Sequence, residues 1–307
     1  MDPLVSIVIP TYNRTSYLLK TLMSLARQSE NRFEVIVVDD GSEKSSRDDV
    51  QKIERDYDLS YVRTGRRGRA SARNRGIERA VGEVILFLDD HTQAHYRLVE
   101  EHLRAHRGRV GRGGYRGRIE YVDDFLDPVC YWAPRLFRSL HSRIYQNSPI
   151  VDFGTHNLSV SRAVIDRVGP FDERFTLYGG EDQEFGIRIR EAGFKLGFLP
   201  KALAFNIRIP KGTAGALDRA IESGRMAALL AVTHPRYRAR MGLNLVNRLV
   251  YAGGTSRRLY DSYLRDRERR DGEKALPSSR RLRRSFFILS FSERLEELRK
   301  DPEKPVT

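Results

Sequence analysis

Five consecutive apolar residues, Val84-Ile85-Leu86-Phe87-Leu88, run without polar alternation into Asp89-Asp90-His91. A strand that is apolar on both faces must be covered on both faces, the condition of a strand in the middle of a parallel sheet. Ligands of open α/β sheets lie beyond the carboxyl ends of the strands, so the pattern delivers two carboxylates and an imidazole to the expected place of chemistry. Alternation along an extended chain puts Asp89 and His91 on one side and Asp90 on the other. Carboxylate plus imidazole suits a Mn²⁺-type ion. Taken alone, Asp-Asp-His reads more simply as a solvated turn; its companions along the chain reverse that preference.

Leu4 to Ile9 is a second buried strand, closed by Pro10, with Thr11-Tyr12-Asn13-Arg14 as its turn. Thr15 or Ser16 is placed to cap a helix whose Leu18, Leu22 and Leu25 recur at i, i+4 and i+7. Phe33 to Val38 gives a third such strand, again ending in acids, Asp39-Asp40-Gly41-Ser42. A weaker helix over Arg47 to Tyr57, a short strand at Tyr61-Val62-Arg63 and a helix over Ala70 to Ala80 complete the run. Strand and helix alternating at this spacing predict a parallel sheet with right-handed crossovers. The first turn holds no glycine, which excludes the dinucleotide fingerprint, and no triphosphatase phosphate loop is present. Gly65 to Asn74 instead combines glycines, arginines and a helix N-terminus, all of which favour a diphosphate.

Four segments, Ser6 to Arg14, Val37 to Ser42, Ala72-Arg73-Asn74-Arg75-Gly76 and Phe87 to His91, resemble in order and spacing the motifs of the large family-2 glycosyltransferases of GT-A fold. The resemblance extends to about Ile209. It implies an α/β, mostly parallel sheet with flanking helices, a nucleotide-sugar donor and a saccharide, peptide or lipid-linked acceptor. It also implies that Tyr12 stacks near the nucleoside base, with Pro10, Thr11 and Arg14 in the same wall. Asp39 is expected on the uracil, Arg73 near the base or diphosphate, Asp89 near the ribose or metal, and Asp90 at the nucleotide. The family's Asp-X-Asp stands here as Asp89-Asp90-His91, which resembles the Asp-X-His of polypeptide N-acetylgalactosaminyltransferases. Asp89 and His91 are therefore the expected ligands of Mn²⁺ or Mg²⁺.

Beyond residue 95 the pattern loosens. Gly108 to Gly117, rich in glycine and arginine, reads as a mobile loop, and the chain's only tryptophan, Trp132, as packing or an acceptor wall. Phe153 to Val160 resembles the strand before the acceptor site and contains His156. Gly179-Gly180-Glu181-Asp182 matches the family's acceptor-activating motif, with Gly180 giving the backbone room and Asp182 implied as the general base beside Glu181. An Asp182 base implies inversion, whereas the Asp-X-His likeness points to a retaining family. Asn206 stands where many members carry a histidine.

Of the net charge of +14, residues 207–307 hold +11. The helical extension from Pro210 culminates in Arg280 to Leu289, four arginines beside apolar residues, which suits an anionic membrane surface. Met1-Asp2-Pro3 leads straight into a strand, the apolar runs are short, and Cys130 is the single cysteine. These features predict a cytoplasmic protein, soluble or peripheral to a membrane. The expected organisation is a catalytic domain over 1–209, with donor and acceptor halves meeting near residue 95, and a basic extension over 210–307. Two rivals are weighed: a sugar-nucleotidyltransferase, whose glycine- and lysine-containing N-terminal loop is missing, and a nucleic-acid binder, disfavoured because the charge lies outside the motifs.

Overall fold

The apolar run at Val84–Leu88 forms a strand whose every residue is buried. In the computed structural model, which describes residues 4–107, 113–123, 153–209, 213–237, 254–268, 280–301 and 304–305, it lies inside an eight-stranded sheet. In chain order the sheet-bearing part comprises β1 (Val5–Thr11), α1 (Thr15–Leu25), β2 (Phe33–Asp39), α2 (Arg47–Gln51), β3 (Asp58–Arg63), α3 (Arg69–Arg79), β4 (Val84–Leu88), β5 (Thr92–Ala94), α4 (Leu98–His106), β6 (Gly113–Val122), β7 (Asn157–Ser161), α5 (Arg162–Val168), α6 (Glu181–Glu191) and β8 (Lys195–Ile207). The strand order is β3-β2-β1-β4-β7-β6-β8-β5, parallel from β3 to β4, after which β7 runs antiparallel.

Both faces of the sheet are covered, as a strand without polar alternation demands. Val84, Leu86 and Leu88 pack with Leu18, Leu22 and Val99 on one side, whereas Ile85 and Phe87 pack with Ala72, Ile77 and Phe171 on the other. Phe87 meets Phe171 edge to face at 5.3 Å between ring centroids. Truncating such a ring to alanine costs about 3–5 kcal/mol.

Three local expectations give way. Neither Thr15 nor Ser16 caps α1: Arg14 holds the cap position, and the Thr15 hydroxyl bonds Ser46 Oγ at 2.6 Å. The helix after β2 closes at Gln51 rather than near Tyr57. The described part of the expected Gly108 to Gly117 loop is strand β6. Its glycines serve close packing: a Cβ on Gly113 would lie 2.4 Å from the Lys195 carbonyl oxygen, and one on Gly117 would lie 2.2 Å from Asn157 Nδ2. Gly113 and Gly117 therefore admit neighbouring strands that any side chain would push away.

Contacts divide the chain into two units, Met1–Glu173 with Phe185–Ile209, and Arg174–Glu184 with Pro210–Thr307. The second contains α7 (Thr213–Thr233), α8 (Gly254–Glu268) and α9 (Arg280–Lys300). Leu217, Ile221, Tyr260, Phe286 and Leu289 form its core. Gly224 lets α9 approach α7, since a Cβ there would sit 2.3 Å from the Phe287 carbonyl oxygen. Phe286, Ile288 and Leu289 are thus spent on internal packing. Within the stretch Arg280 to Leu289, expected to meet an anionic surface, Phe286, Ile288 and Leu289 are therefore not available to a membrane, and Arg284 is exposed. Among the described residues no helix is long and apolar enough to cross a membrane.

Candidate active site

The parallel register places Thr11, Asp39 and Arg63 level with one another at the carboxyl ends of β1, β2 and β3. Asp39 is fully buried and holds its own turn together. Its Oδ1 accepts the Ser42 amide at 2.8 Å, and its Oδ2 accepts the Tyr61 hydroxyl at 2.6 Å. A carboxylate has about four lone-pair sites, so capacity for a further donor is left. Asn13, with a left-handed φ of 52°, donates its amide to Ser42 Oγ at 2.9 Å and ties the turn after β1 to the turn after β2. Asp40 accepts the amides of Arg67 and Gly68 at 2.8 and 2.9 Å. Those two donors of the Gly65 to Asn74 segment are therefore satisfied within the protein.

At the end of β4 the expected alternation fails, because the extended chain stops at Leu88 and a turn follows. Asp90 swings inward and is buried. It accepts Thr11 Oγ1 at 2.9 Å and Arg14 Nη1 at 3.0 Å, and it lies 3.0 Å from His91 Nδ1. Its main-chain oxygen also accepts the Thr21 hydroxyl. Asp90 and Arg14, both expected at the nucleotide, thus form the bracket that holds the turn.

An acceptor carboxylate at Nδ1 places the ring proton there and leaves the Nε2 lone pair of His91 for a metal. Asp89 remains partly open to solvent. Burial pushes its carboxyl up, but His91, His156, Arg73 and Arg69 together pull it below the ordinary carboxylate value. An ionised carboxylate beside an imidazole with an oriented ring is a donor set that fits Mn²⁺. Among the described residues, no group of three or more His, Cys, Asp or Glu converges into a complete metal cage.

Arg73 is buried, 3.9 Å from Asp89 Oδ1, with its guanidinium 5.7 Å from the Phe171 ring centroid. Its neighbour Asn74 accepts the Phe171 amide and donates back to the Phe171 carbonyl and to Glu173. Tyr12 is half-buried, and the Arg66 guanidinium lies over its ring at 4.5 Å from the centroid. His156 sits 3.3 Å from Arg116 Nη2, packed against Gly154. Asn206 is buried on β8 and accepts the Thr92 hydroxyl.

In the second unit, Gly179 and Gly180 adopt φ of 91° and 96°, a conformation that favours glycine, immediately before the acids. Glu181, Asp182 and Glu184 occupy the first turn of α6, where the helix dipole favours negative charge. Glu181 is buried and Asp182 partly exposed. The space beside Gly180 is filled from within: a Cβ there would meet the Phe175 ring at 2.8 Å and Met226 at 3.2 Å. Glu184 pairs with His234 at 3.2 Å. Trp132, expected as an acceptor wall, lies outside the described residues, as does Cys130.

Two contacts had no signal in the sequence. Tyr61 reaches Asp39 only because β3 aligns with β2, and Arg66 reaches Tyr12 only because Asp40 folds the loop back. The Gly65 to Asn74 segment marked Arg66 as basic but not as the cover of Tyr12.

Residues 6–164 match the family model described as Glycosyl transferase family 2, and residues 141–211 match that described as N-terminal domain of galactosyltransferase. The chain is 37% identical over 225 residues to validoxylamine A glucosyltransferase of Streptomyces hygroscopicus subsp. jinggangensis (strain 5008), a match covering 63% of this chain and 53% of that protein. It thus spans about half the length of that curated relative. Among solved structures it is similar to TarS 1-349 of S. aureus in complex with UDP-GlcNAc, with a TM-score of 0.57, 18% identity, and coverage of 98% of this chain and 92% of the other. It is also similar to the mannosyltransferase PcManGT of Pyrobaculum calidifontis in complex with GDP-Man and Mn²⁺, with a TM-score of 0.59, 17% identity, and coverage of 99% and 89%. At these identities the likeness establishes the GT-A fold.

Proposed function

The chain belongs to glycosyl transferase family 2, and from that premise we propose that it moves a sugar from a nucleotide-diphosphate donor, most simply a UDP-sugar, to a hydroxyl or amine acceptor. The observation that carries this reading is the set of turns after β1, β2 and β4, which bind one another through Asn13–Ser42 and Thr11–Asp90 and leave Asp89 beside Arg73. Tyr12 and Asp39 hold the base, the ring by stacking and the carboxylate by accepting from its edge. The UDP-GlcNAc held by TarS supports uridine, although the GDP-Man of PcManGT means that the fold alone does not choose the base.

Asp89 and His91 would hold a divalent ion, Mn²⁺ or Mg²⁺, which supplies charge neutralisation for the departing diphosphate. The chain's own contribution there is orientation. Asp90 fixes the His91 ring, and Arg73 adds positive charge beside Asp89.

Asp182 acts as the general base. It stands in the first turn of α6, at the helix end where the dipole favours negative charge, and the positive-φ glycine pair sets the entry of the helix. Proton removal by Asp182 during direct displacement implies inversion at the anomeric carbon. Glu181 orients the acceptor, and His156 and Trp132 are assigned to the acceptor side. A panel of nucleotide-sugars with Mn²⁺, scored by release of nucleoside diphosphate without acceptor, tests the reading. UDP release from at least one UDP-sugar is expected; pyrophosphate release, or no hydrolysis of any donor, would overturn it.

A further inference from the structure

We infer that α7 is the template on which the acid-bearing turn of α6 is laid, and that His234 is a positioning residue for Asp182. Leu217, Ile221 and Gly224 recur at i, i+4 and i+7 along α7 and face the helical bundle. Leu217 and Ile221 share its core with Phe286 and Leu289, and Gly224 meets the Phe287 carbonyl. Arg219, Ser223 and Met226 repeat that spacing two positions later, which at 3.6 residues per turn is about 200° around the helix. This second face receives the segment that leads into the acids.

The two chains advance together. Arg219 lies over the Tyr178 ring, 4.6 Å from its centroid, and Ser223 Oγ is 3.5 Å from where a Cβ on Gly179 would stand. A Cβ on Gly180 would be 3.2 Å from Met226 Cβ and 2.8 Å from the Phe175 ring, so only a glycine lets the backbone lie this close to α7. At the far end of the same helix the His234 amide donates to the Leu230 carbonyl at 2.9 Å and extends the last turn. Nε2 of His234 donates to Glu184 Oε1 at 3.2 Å, and the two side chains are only 11% and 2% exposed. A carboxylate at that depth depends on its hydrogen-bond donors.

The Glu184 amide donates to the Gly180 carbonyl at 2.9 Å, so residues 180–184 close a single helical turn. Both ends of that turn rest on α7, Gly180 at Met226 and Glu184 at His234. Asp182 lies midway between the two anchors, and its direction is set by them while its own side chain stays partly exposed. The link to catalysis rests on the reading of Asp182 as the base. On that reading the basic extension contributes α7 to the catalytic apparatus.

The test compares His234→Leu, which removes the donor, with His234→Gln, whose amide nitrogen can replace Nε2, each in the full chain. Amide hydrogen exchange should be about tenfold or more faster over residues 178–184 in His234→Leu, close to wild type in His234→Gln, and unchanged along α9 in both. With Mn²⁺, water as acceptor and the UDP-sugar that releases UDP fastest in the donor panel, kcat for hydrolysis should fall about 10- to 100-fold in His234→Leu, with KM for the donor unchanged, and recover in His234→Gln. Unchanged exchange over 178–184 overturns the inference. So does exchange that rises equally along α9, which would make His234 a general stabiliser of the bundle, or a wild-type rate in His234→Leu where Asp182→Asn is slowed. If Asp182→Asn hydrolyses the donor as fast as wild type, the base reading fails instead, and the exchange data alone decide whether His234 holds the turn.

Discussion

Asp90 Oδ1 lies 3.0 Å from Nδ1 of His91, and it is the carboxylate, not the imidazole, that is buried deepest at the end of β4. The pair makes a specific expectation about metal affinity. Asp90→Asn replaces the charged acceptor at Nδ1 with a neutral amide that can turn either its oxygen or its nitrogen to the ring, so the tautomer and orientation of His91 are no longer fixed. Loss of an outer partner of a metal-bound histidine typically lowers affinity about 10- to 100-fold. Mn²⁺ titration followed by electron paramagnetic resonance, in the presence of UDP, should show that loss, with His91→Ala at least as weak. Equal Mn²⁺ affinity in wild type and Asp90→Asn would mean that Asp90 serves only Thr11 and Arg14.

The second prediction concerns the turn that carries Asp39. Tyr61→Phe deletes the hydroxyl that donates to Asp39 Oδ2 and accepts the Ser46 amide. Leaving buried polar groups unpaired costs about 1–3 kcal/mol, which a urea midpoint resolves. Asp39→Ala should weaken UDP binding by a similar margin, about 1–3 kcal/mol. Calorimetry giving the same UDP affinity for Asp39→Ala and wild type would remove Asp39 from the base site and leave it a turn-forming residue.

A third expectation follows from a buried histidine that no motif singled out. His102 is fully buried on α4. Asn157 uses its amide nitrogen on the carbonyls of Arg118 and Ala202, so its oxygen must accept, and it does so from His102 Nε2 at 2.7 Å. Nδ1 is then the acceptor for Ser159 Oγ at 2.8 Å. Burial, against the pull of the Asn157 bond and with that of His106, pushes the His102 imidazole down from 6.5 to about 3. The folded value lies below the unfolded one, so falling pH protonates the unfolded chain first. The stability is fully present above about pH 6.5 and is lost progressively towards pH 3, at up to about 1.4 kcal/mol per pH unit. Between pH 7.5 and 5.5 the wild type should lose about 1.4 kcal/mol through this group. His102→Gln, which does not titrate, should show a shallower pH dependence of its urea midpoint, and an identical slope would exclude His102 as the source.

The strands that build the nucleotide end were legible because their signal is local. Val84–Leu88, Val5–Ile9 and Phe33–Val38 are apolar on both faces, and only a doubly covered sheet satisfies them. The acids that follow were legible as a group, but that Asp90 packs inward on Thr11 and Arg14 depends on the strand ending at Leu88 and on partners far away in sequence. Gly113 and Gly117 misled for a related reason: glycine marks both a loop and a strand that its neighbours crowd, and only the partner strand distinguishes the two. Contacts such as Tyr61–Asp39 and Arg66–Tyr12 depend on register between strands far apart in sequence, which no local pattern encodes.

The last prediction concerns Asp182. It sits with Glu181 and Glu184 in the first turn of α6, but the three acids are not equivalent. Glu184 is buried and paired with His234, and Glu181 is buried, whereas Asp182 keeps part of its surface open. Of the three it is the one open to solvent. A positioned base is worth about 10²–10⁴ in rate. A carboxylate that merely complements the helix dipole is worth about 0.3–1 kcal/mol of stability and nothing in chemistry. Asp182→Asn preserves size, so the variant should fold, bind UDP and Mn²⁺ as the wild type does, and transfer sugar at least about a hundredfold more slowly. The ratio should persist at saturating acceptor, because the loss is in the proton-transfer step rather than in binding. Near-normal transfer with a small drop in unfolding midpoint would make Asp182 a helix-start charge, and Glu181→Gln would be the next variant to measure.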